Sequence, residues 1–177
     1  MMGVVSKVVE LRRHTDAEGD VLTASGVRVA VEIGRSIEGD FDLLISSGAQ
    51  RATQTLACLL AGMGRTVAGG VAVNPRFRSA VEERWFEAAR RADGKDLEAF
   101  RRVDPDLVEK ESAVLGTALR SVFESLPDGG RALVVGHSPT TEAAVLGLTG
   151  EVVAPIDKGA GVRVTEDGAR YRVDPLP

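Results

Sequence analysis

The chain of 177 residues carries 44% hydrophobic and 27% charged side chains, a globular balance that excludes a disordered tail or a fibrous repeat and suits one domain over 1–177. Its 22 basic and 26 acidic residues leave a formal charge of -4, which offers a nucleic-acid backbone no general attraction. The single cysteine, Cys58, excludes an internal disulfide and reads as a small apolar core residue. No apolar run reaches the ~18 residues that a membrane span needs, and no cleavage signal follows the valine-rich start, so the cytoplasm is the expected compartment.

In chain order, Val4 to Arg12 is a β-branched run that enters a polar loop at Asp16 to Asp20, as a strand does. Thr23 is a helix cap, and Val27, Ala30, Val31, Ile33, Gly34 and Ile37 follow at near-helical spacing until Gly39. Phe41 to Ser46 is a short apolar run that suits a strand buried on both faces. A helix over Ala49 to Met63 and a strand over Thr66 to Val73 come next. From Asn74 to Asp104 the texture changes to dense Arg and Glu with Trp85, Phe86 and Phe100 among them, and one or two short helices are expected as an excursion from the sheet. Asp104-Pro105 opens a long helix by cap and first-turn proline. Ala132 to Gly136 is a strand, and Pro139 to Leu148 a helix with Ser138 as its expected cap. Val162 to Thr165 and Arg170 to Val173 form a hairpin about Glu166-Asp167-Gly168. Alternating strands and helices predict a three-layer α/β/α domain with a mostly parallel central sheet.

Histidine is scarce: His14 and His137 are the only two, and each directly follows an expected buried strand. Taken singly, each reads as a structural imidazole. In an open α/β sheet, however, the loops at the carboxyl ends of strands share one crevice, so the two can meet there. Arg13 adjoins His14, and Arg51 opens the helix after Ser46-Ser47. Guanidinium forks grip phosphate oxygens in pairs, so this set could bind phosphate without a metal. Two histidines lack the helical spacing of a metal-ligand pair, and the glycine-lysine signature of a nucleotide-binding P-loop is absent.

Leu11-Arg12-Arg13-His14-Thr15 resembles the L-x-R-H-G signature of the histidine phosphatase superfamily, whose fold is phosphoglycerate-mutase-like. Leu22-Thr23-Ala24-Ser25-Gly26 resembles its L-T-x-x-G helix start. The run Ser46-Ser47-Gly48-Ala49-Gln50-Arg51-Ala52-Thr53-Gln54-Thr55 resembles S-S-P-x-x-R-A-x-Q-T, and Val134-Val135-Gly136-His137 resembles its V-G-H segment. The resemblance covers Val4 to about Gly150. It implies a metal-independent phosphatase, with no cofactor, that hydrolyses a phosphomonoester or phosphoramidate. His14 would become a phosphohistidine while Arg13, Arg51 and His137 hold the equatorial oxygens. Such a task is mostly positioning and charge balance. The partner expected is a small phosphorylated substrate or a phosphoprotein.

For the general acid the resemblance points to a glutamate after the third strand. Glu82 is favoured over Glu83, although a stricter register places Ser79 there. Ser138 stands where the acid-phosphatase branch has its aspartate, Asp20 where mutases often have asparagine, and Thr15 where glycine is usual. The Gly136-His137-Ser138-Pro139 stretch and the chain length look most like the small phosphohistidine-phosphatase branch. The excursion at 74–104 is the expected substrate lid. Thr15, Asp20 and the doubtful acid motivate an alternative, a phosphate-binding module without turnover; a phosphomutase is the third reading.

Overall fold

In a computed structural model, which describes residues 5–177, the chain runs β1 (Lys7–Arg13), β2 (Ala17–Glu18), β3 (Val21–Leu22), α1 (Ala24–Ser36), β4 (Leu43–Ser46) and α2 (Gln50–Met63). It continues through β5 (Val71–Val73), a 3-10 turn (Pro75–Phe77), α3 (Glu82–Arg91), α4 (Leu97–Val103) and α5 (Pro105–Ser125), then β6 (Arg131–Gly136), α6 (Thr140–Thr149), β7 (Gly161–Asp167) and β8 (Arg170–Leu176). The expected strand start at Val4 lies outside the described residues.

The main sheet has the order β5-β4-β6-β1-β7-β8. The first four strands are parallel, while β7 runs antiparallel to β1 and β8 to β7. Alternation along the strands feeds two separate cores. Leu44, Leu133 and Val135 pack with Leu56 and Leu59 of α2 on one face. Val9, Leu11 and Val134 pack with Leu115, Leu119 and Phe123 of α5 on the other. The result is a three-layer α/β/α domain.

Local chemistry explains the helix ends. Thr23 Oγ1 accepts the Gly26 amide at 3.0 Å to start α1, and Asp104 Oδ1 accepts the Leu107 amide at 3.1 Å to start α5, with Pro105 in its first turn. The backbones of α5 and α6 touch where Gly116 meets Gly147; a Cβ on Gly147 would collide with the Ser112 carbonyl. No helix among the described residues is long and apolar enough to cross a membrane.

Several expected boundaries move. The strand expected over Thr66 to Val73 is reduced to Val71–Val73, because Gly70 donates to the Val67 carbonyl at 2.9 Å in a turn that uses its positive φ of 64°. The Asp16–Asp20 loop forms the first strand and the turn of the small β2-β3 hairpin, which runs on to Leu22. Ser138 does not cap α6: Pro139 occupies the cap position without a side-chain bond, and the Ser138 hydroxyl goes to Glu142 instead. The excursion at 74–104 forms α3 and α4, anchored on the α5 layer by Trp85, Ala88, Leu97 and Phe100.

Candidate active site

Strand register brings the reactive positions together. Arg13 pairs with Gly136, and Ser46 with Val135. Beyond those pairs, His14 N donates to Gly136 O at 3.0 Å and Ser47 N to Val135 O at 3.1 Å. The first residues past β1, β4 and β6 are therefore His14, Ser47 and His137, side by side at the carboxyl edge where the strand order switches. The first turn of α2 adds Arg51. The two imidazole centroids lie 5.5 Å apart. Arg13, His14, Arg51, Glu82 and His137 all line one cavity of about 490 Å³.

Hydrogen bonding assigns the protons. His14 Nδ1 lies 2.7 Å from the Thr15 carbonyl oxygen and so carries hydrogen. Its Nε2 then offers a lone pair, which accepts Arg51 Nε at 3.3 Å. Arg51 Nη2 lies 3.2 Å from His137 Nδ1, and a guanidinium only donates, so that nitrogen is unprotonated as well. His137 Nε2 consequently donates to Ser47 Oγ at 2.8 Å. Charge agrees with geometry. Burial pushes the His137 pKa down to about 3, with the Arg51 charge adding to the effect. Burial also lowers that of His14; its bond to Thr15 opposes this, and Arg51, Arg13 and Lys158 reinforce it. Both rings are neutral at neutral pH.

The remaining Arg51 nitrogen, Nη1, reaches Asp20 Oδ1 at 2.9 Å. Asp20 also accepts the Gln50 and Arg51 amides at 3.1 and 3.3 Å, at the N-terminus of α2. Against the upward push of partial burial, those amides and the Arg51 charge hold its carboxyl below the ordinary value. Asp20 thus steadies the guanidinium. Thr15 is also accommodated: its hydroxyl donates to the Gly26 carbonyl at 2.9 Å, and its amide to Thr55 Oγ1 at 3.1 Å. Arg13 Nη1 donates to the Ile156 carbonyl at 3.0 Å, while its buried Nε has no protein partner.

Of the candidate acids, Glu82 lines the cavity and Glu83 does not. Arg78 Nε donates to Glu82 Oε1 at 2.7 Å. That bond lowers the Glu82 pKa against an upward push from burial, and the Arg78, His137 and Arg51 charges lower it further. The carboxyl is ionised in this arrangement. Ser79 lines the cavity too, but its hydroxyl donates to Glu111 Oε2 at 2.5 Å.

Sequence reasoning missed Glu142, which is 2% exposed. Its Oε1 accepts Ser138 Oγ at 2.5 Å and the Ile156 amide at 2.9 Å, tying the His137 loop to the segment that holds Arg13. Its Oε2 is buried without a partner, and burial raises its pKa. The available signal was the one acid in the otherwise uncharged helix Thr140–Thr149.

No protein-family model and no curated protein sequence matches the chain. Solved structures do. A phosphoserine phosphatase from Entamoeba histolytica, in complex with 3-phosphoglyceric acid, superposes with a TM-score of 0.76 at 15% identity, over 97% of each chain. A phosphoglycerate mutase from Bacillus anthracis superposes with a TM-score of 0.73 at 18% identity, over 97% of this chain and 92% of the other. The protein histidine phosphatase SixA, complexed with tungstate, gives a TM-score of 0.58 at 19% identity, over 96% of each chain. The chain shares its fold with the phosphoglycerate mutase and the two phosphatases. At 15 to 19% identity these likenesses define the fold and not a branch within it.

Proposed function

We propose that the protein is a metal-independent phosphatase that hydrolyses a phosphomonoester or phosphoramidate through a phosphohistidine on His14. The observation that carries this reading is Arg51, which donates to an unprotonated nitrogen on each of two neutral imidazoles. A phosphoryl group is a better acceptor for that guanidinium. When it takes the Arg51 donors, His14 Nε2 is left with a free lone pair facing phosphorus. His137 Nδ1, with the phosphoryl charge now between it and Arg51, takes a proton from solvent and becomes a donor. Arg13, Arg51 and His137 then share the equatorial oxygens, whose charge is what the protein must balance.

In the first step the bond from phosphorus to His14 Nε2 forms and the bond to the leaving group breaks. Glu82 gives the leaving atom a proton when the substrate has brought one as a monoanion; a phenol or an amine needs little such help. In the second step Glu82, ionised again, takes a proton from water as the water attacks phosphorus and frees His14. Similarity to a phosphatase, a mutase and an oxyanion complex supports phosphoryl chemistry as the use of this fold. The reading as a silent binding module loses two of its motives, since Thr15 turns toward Gly26 and Asp20 supports Arg51.

The test is turnover of a phosphoester labelled in phosphorus, quenched in alkali to preserve phosphohistidine. Wild type should carry label on His14. His14→Ala should carry none and lose about 10³-fold or more in turnover, as expected for one member of a unit-acting set. Near-normal activity in His14→Ala overturns the mechanism. Phosphate protection against heating without any turnover selects the binding module, and exchange between two phosphoglycerates selects the mutase.

A further inference from the structure

One stretch of the cavity wall has few hydrogen bonds of its own. Residues 152–156, between α6 and β7, form neither helix nor strand, and among the described residues their hydrogen bonds are two, both at Ile156. The Ile156 amide donates to Glu142 Oε1 at 2.9 Å, and the Ile156 carbonyl accepts Arg13 Nη1 at 3.0 Å. Among the described residues that carbonyl is the one protein acceptor of the Arg13 guanidinium, whose Nε is buried without a partner. The aim of Arg13 therefore depends on where the Ile156 backbone sits. Core packing holds the Ile156 side chain, but apolar burial has no direction, whereas a hydrogen bond fixes both distance and angle.

Glu142 supplies that direction from the first turn of α6. The same Oε1 also accepts Ser138 Oγ at 2.5 Å. Ser138 directly follows His137, so one oxygen joins the loop that presents His137 to the segment that aims Arg13. An apolar side chain is the ordinary occupant of so buried a position. A carboxylate kept there with Oε2 unpartnered is a local cost of the kind that functional sites carry.

We propose that Glu142 is a positioning residue of the phosphate cradle, which acts through the Ile156 backbone to aim the Arg13 guanidinium at the equatorial oxygens. The inference rests on the phosphatase reading and adds to it a residue that touches neither substrate nor nucleophile. Its signature is dependence on Arg13: what Glu142 contributes to turnover disappears when there is no guanidinium left to aim.

The experiment is a double-mutant cycle over wild type, Arg13→Ala, Glu142→Leu and the two combined, with Glu142→Gln alongside. On each protein kcat and KM are measured for 4-nitrophenyl phosphate, and a calorimetric Kd for orthovanadate. Glu142→Leu should lose about 10²-fold in kcat, the scale of an ångström-sized misplacement, and bind vanadate more weakly. With Arg13 already replaced, the same substitution should cost almost nothing. Glu142→Gln keeps one oxygen for both donors and should recover most of the loss. Equal losses with and without Arg13 would make Glu142 a support of the fold alone and overturn the proposal. Wild-type kcat in Glu142→Leu, or a Glu142→Gln no better than Glu142→Leu, would overturn it too. Should Glu142→Leu fail to fold, Glu142→Asp decides, because it retracts the oxygen by one methylene and keeps the charge. It should lose about 10-fold in kcat, the scale of one hydrogen bond to a charged group, and only where Arg13 is present; a loss independent of Arg13 rejects the role. If wild type turns over no ester, the phosphatase reading falls by itself. An Arg13-dependent weakening of vanadate binding in the Glu142 variants would then still uphold the positioning role, and unchanged binding would reject it.

Discussion

Arg51 divides its three nitrogens between two imidazoles and one carboxylate, and that division fixes which ring nitrogens carry hydrogen. Asp20 fixes the plane of the guanidinium, and burial, reinforced by the guanidinium charge, suppresses protonation of both rings. Glu82 is different, since Arg78 holds it ionised at rest. Glu82→Gln should therefore change turnover of a phenyl phosphate or a phosphoramidate by only a few-fold. It should lower turnover of an alkyl phosphate by roughly 10²-fold or more, the usual scale of general acid catalysis. Equal losses on both leaving groups would remove Glu82 from the acid role. Arg13, His14 and His137 could be read from the chain because each sits at or just past a strand end, and Arg51 because it opens the helix after one, all in motifs with fixed spacing. Glu142 left only a faint trace, the one acid in an uncharged helix. What makes Glu142 notable is Ile156 and Ser138 meeting at one oxygen, which leaves no spacing in the chain.

At the scale of elements, the α5–α6 crossing positions the helix that follows His137. Replacing Gly147 by alanine sets two effects against each other. Helix propensity favours alanine by about 1 kcal/mol, while forcing a methyl group into a closed backbone contact costs typically 1–3 kcal/mol, occasionally more. Here the Cβ meets the Ser112 carbonyl rather than a flexible side chain, so the clash wins. Gly147→Ala should lower the urea midpoint, with an unchanged slope, by the equivalent of roughly 1–2 kcal/mol; a raised midpoint would contradict the crossing. The central strands and long helices were legible because caps, prolines and apolar period agree along Thr23–Ser36 and Asp104–Ser125. The segment over Thr66 to Val73 misled because valines suggested a strand through a stretch whose glycines form a turn. Ser138 misled because an apparent cap residue had a stronger use for its hydroxyl in Glu142.

For the molecule as a whole, the neutral histidines carry a stability cost in acid. An unfolded histidine titrates near ~6.5, whereas His137 in the folded protein titrates at about 3. Between those values the unfolded chain binds a proton that the native site refuses, so stability falls as pH drops through this window and is insensitive to His137 above it. Glu142, whose pKa is raised by burial, works in the opposite sense; comparison with a variant isolates the histidine. Urea midpoints measured at about pH 7.5 and pH 5 should show wild type losing more stability than His137→Gln, and equal losses would place the His137 proton elsewhere. The strand-end register has a longer reach. Three neighbouring strands of one sheet fix the imidazoles, whereas Phe86 belongs to α3, which rests on the α5 layer. Descendants of this chain can therefore trade one clientele for another by rewriting that outer layer, with the bond-breaking apparatus inherited intact.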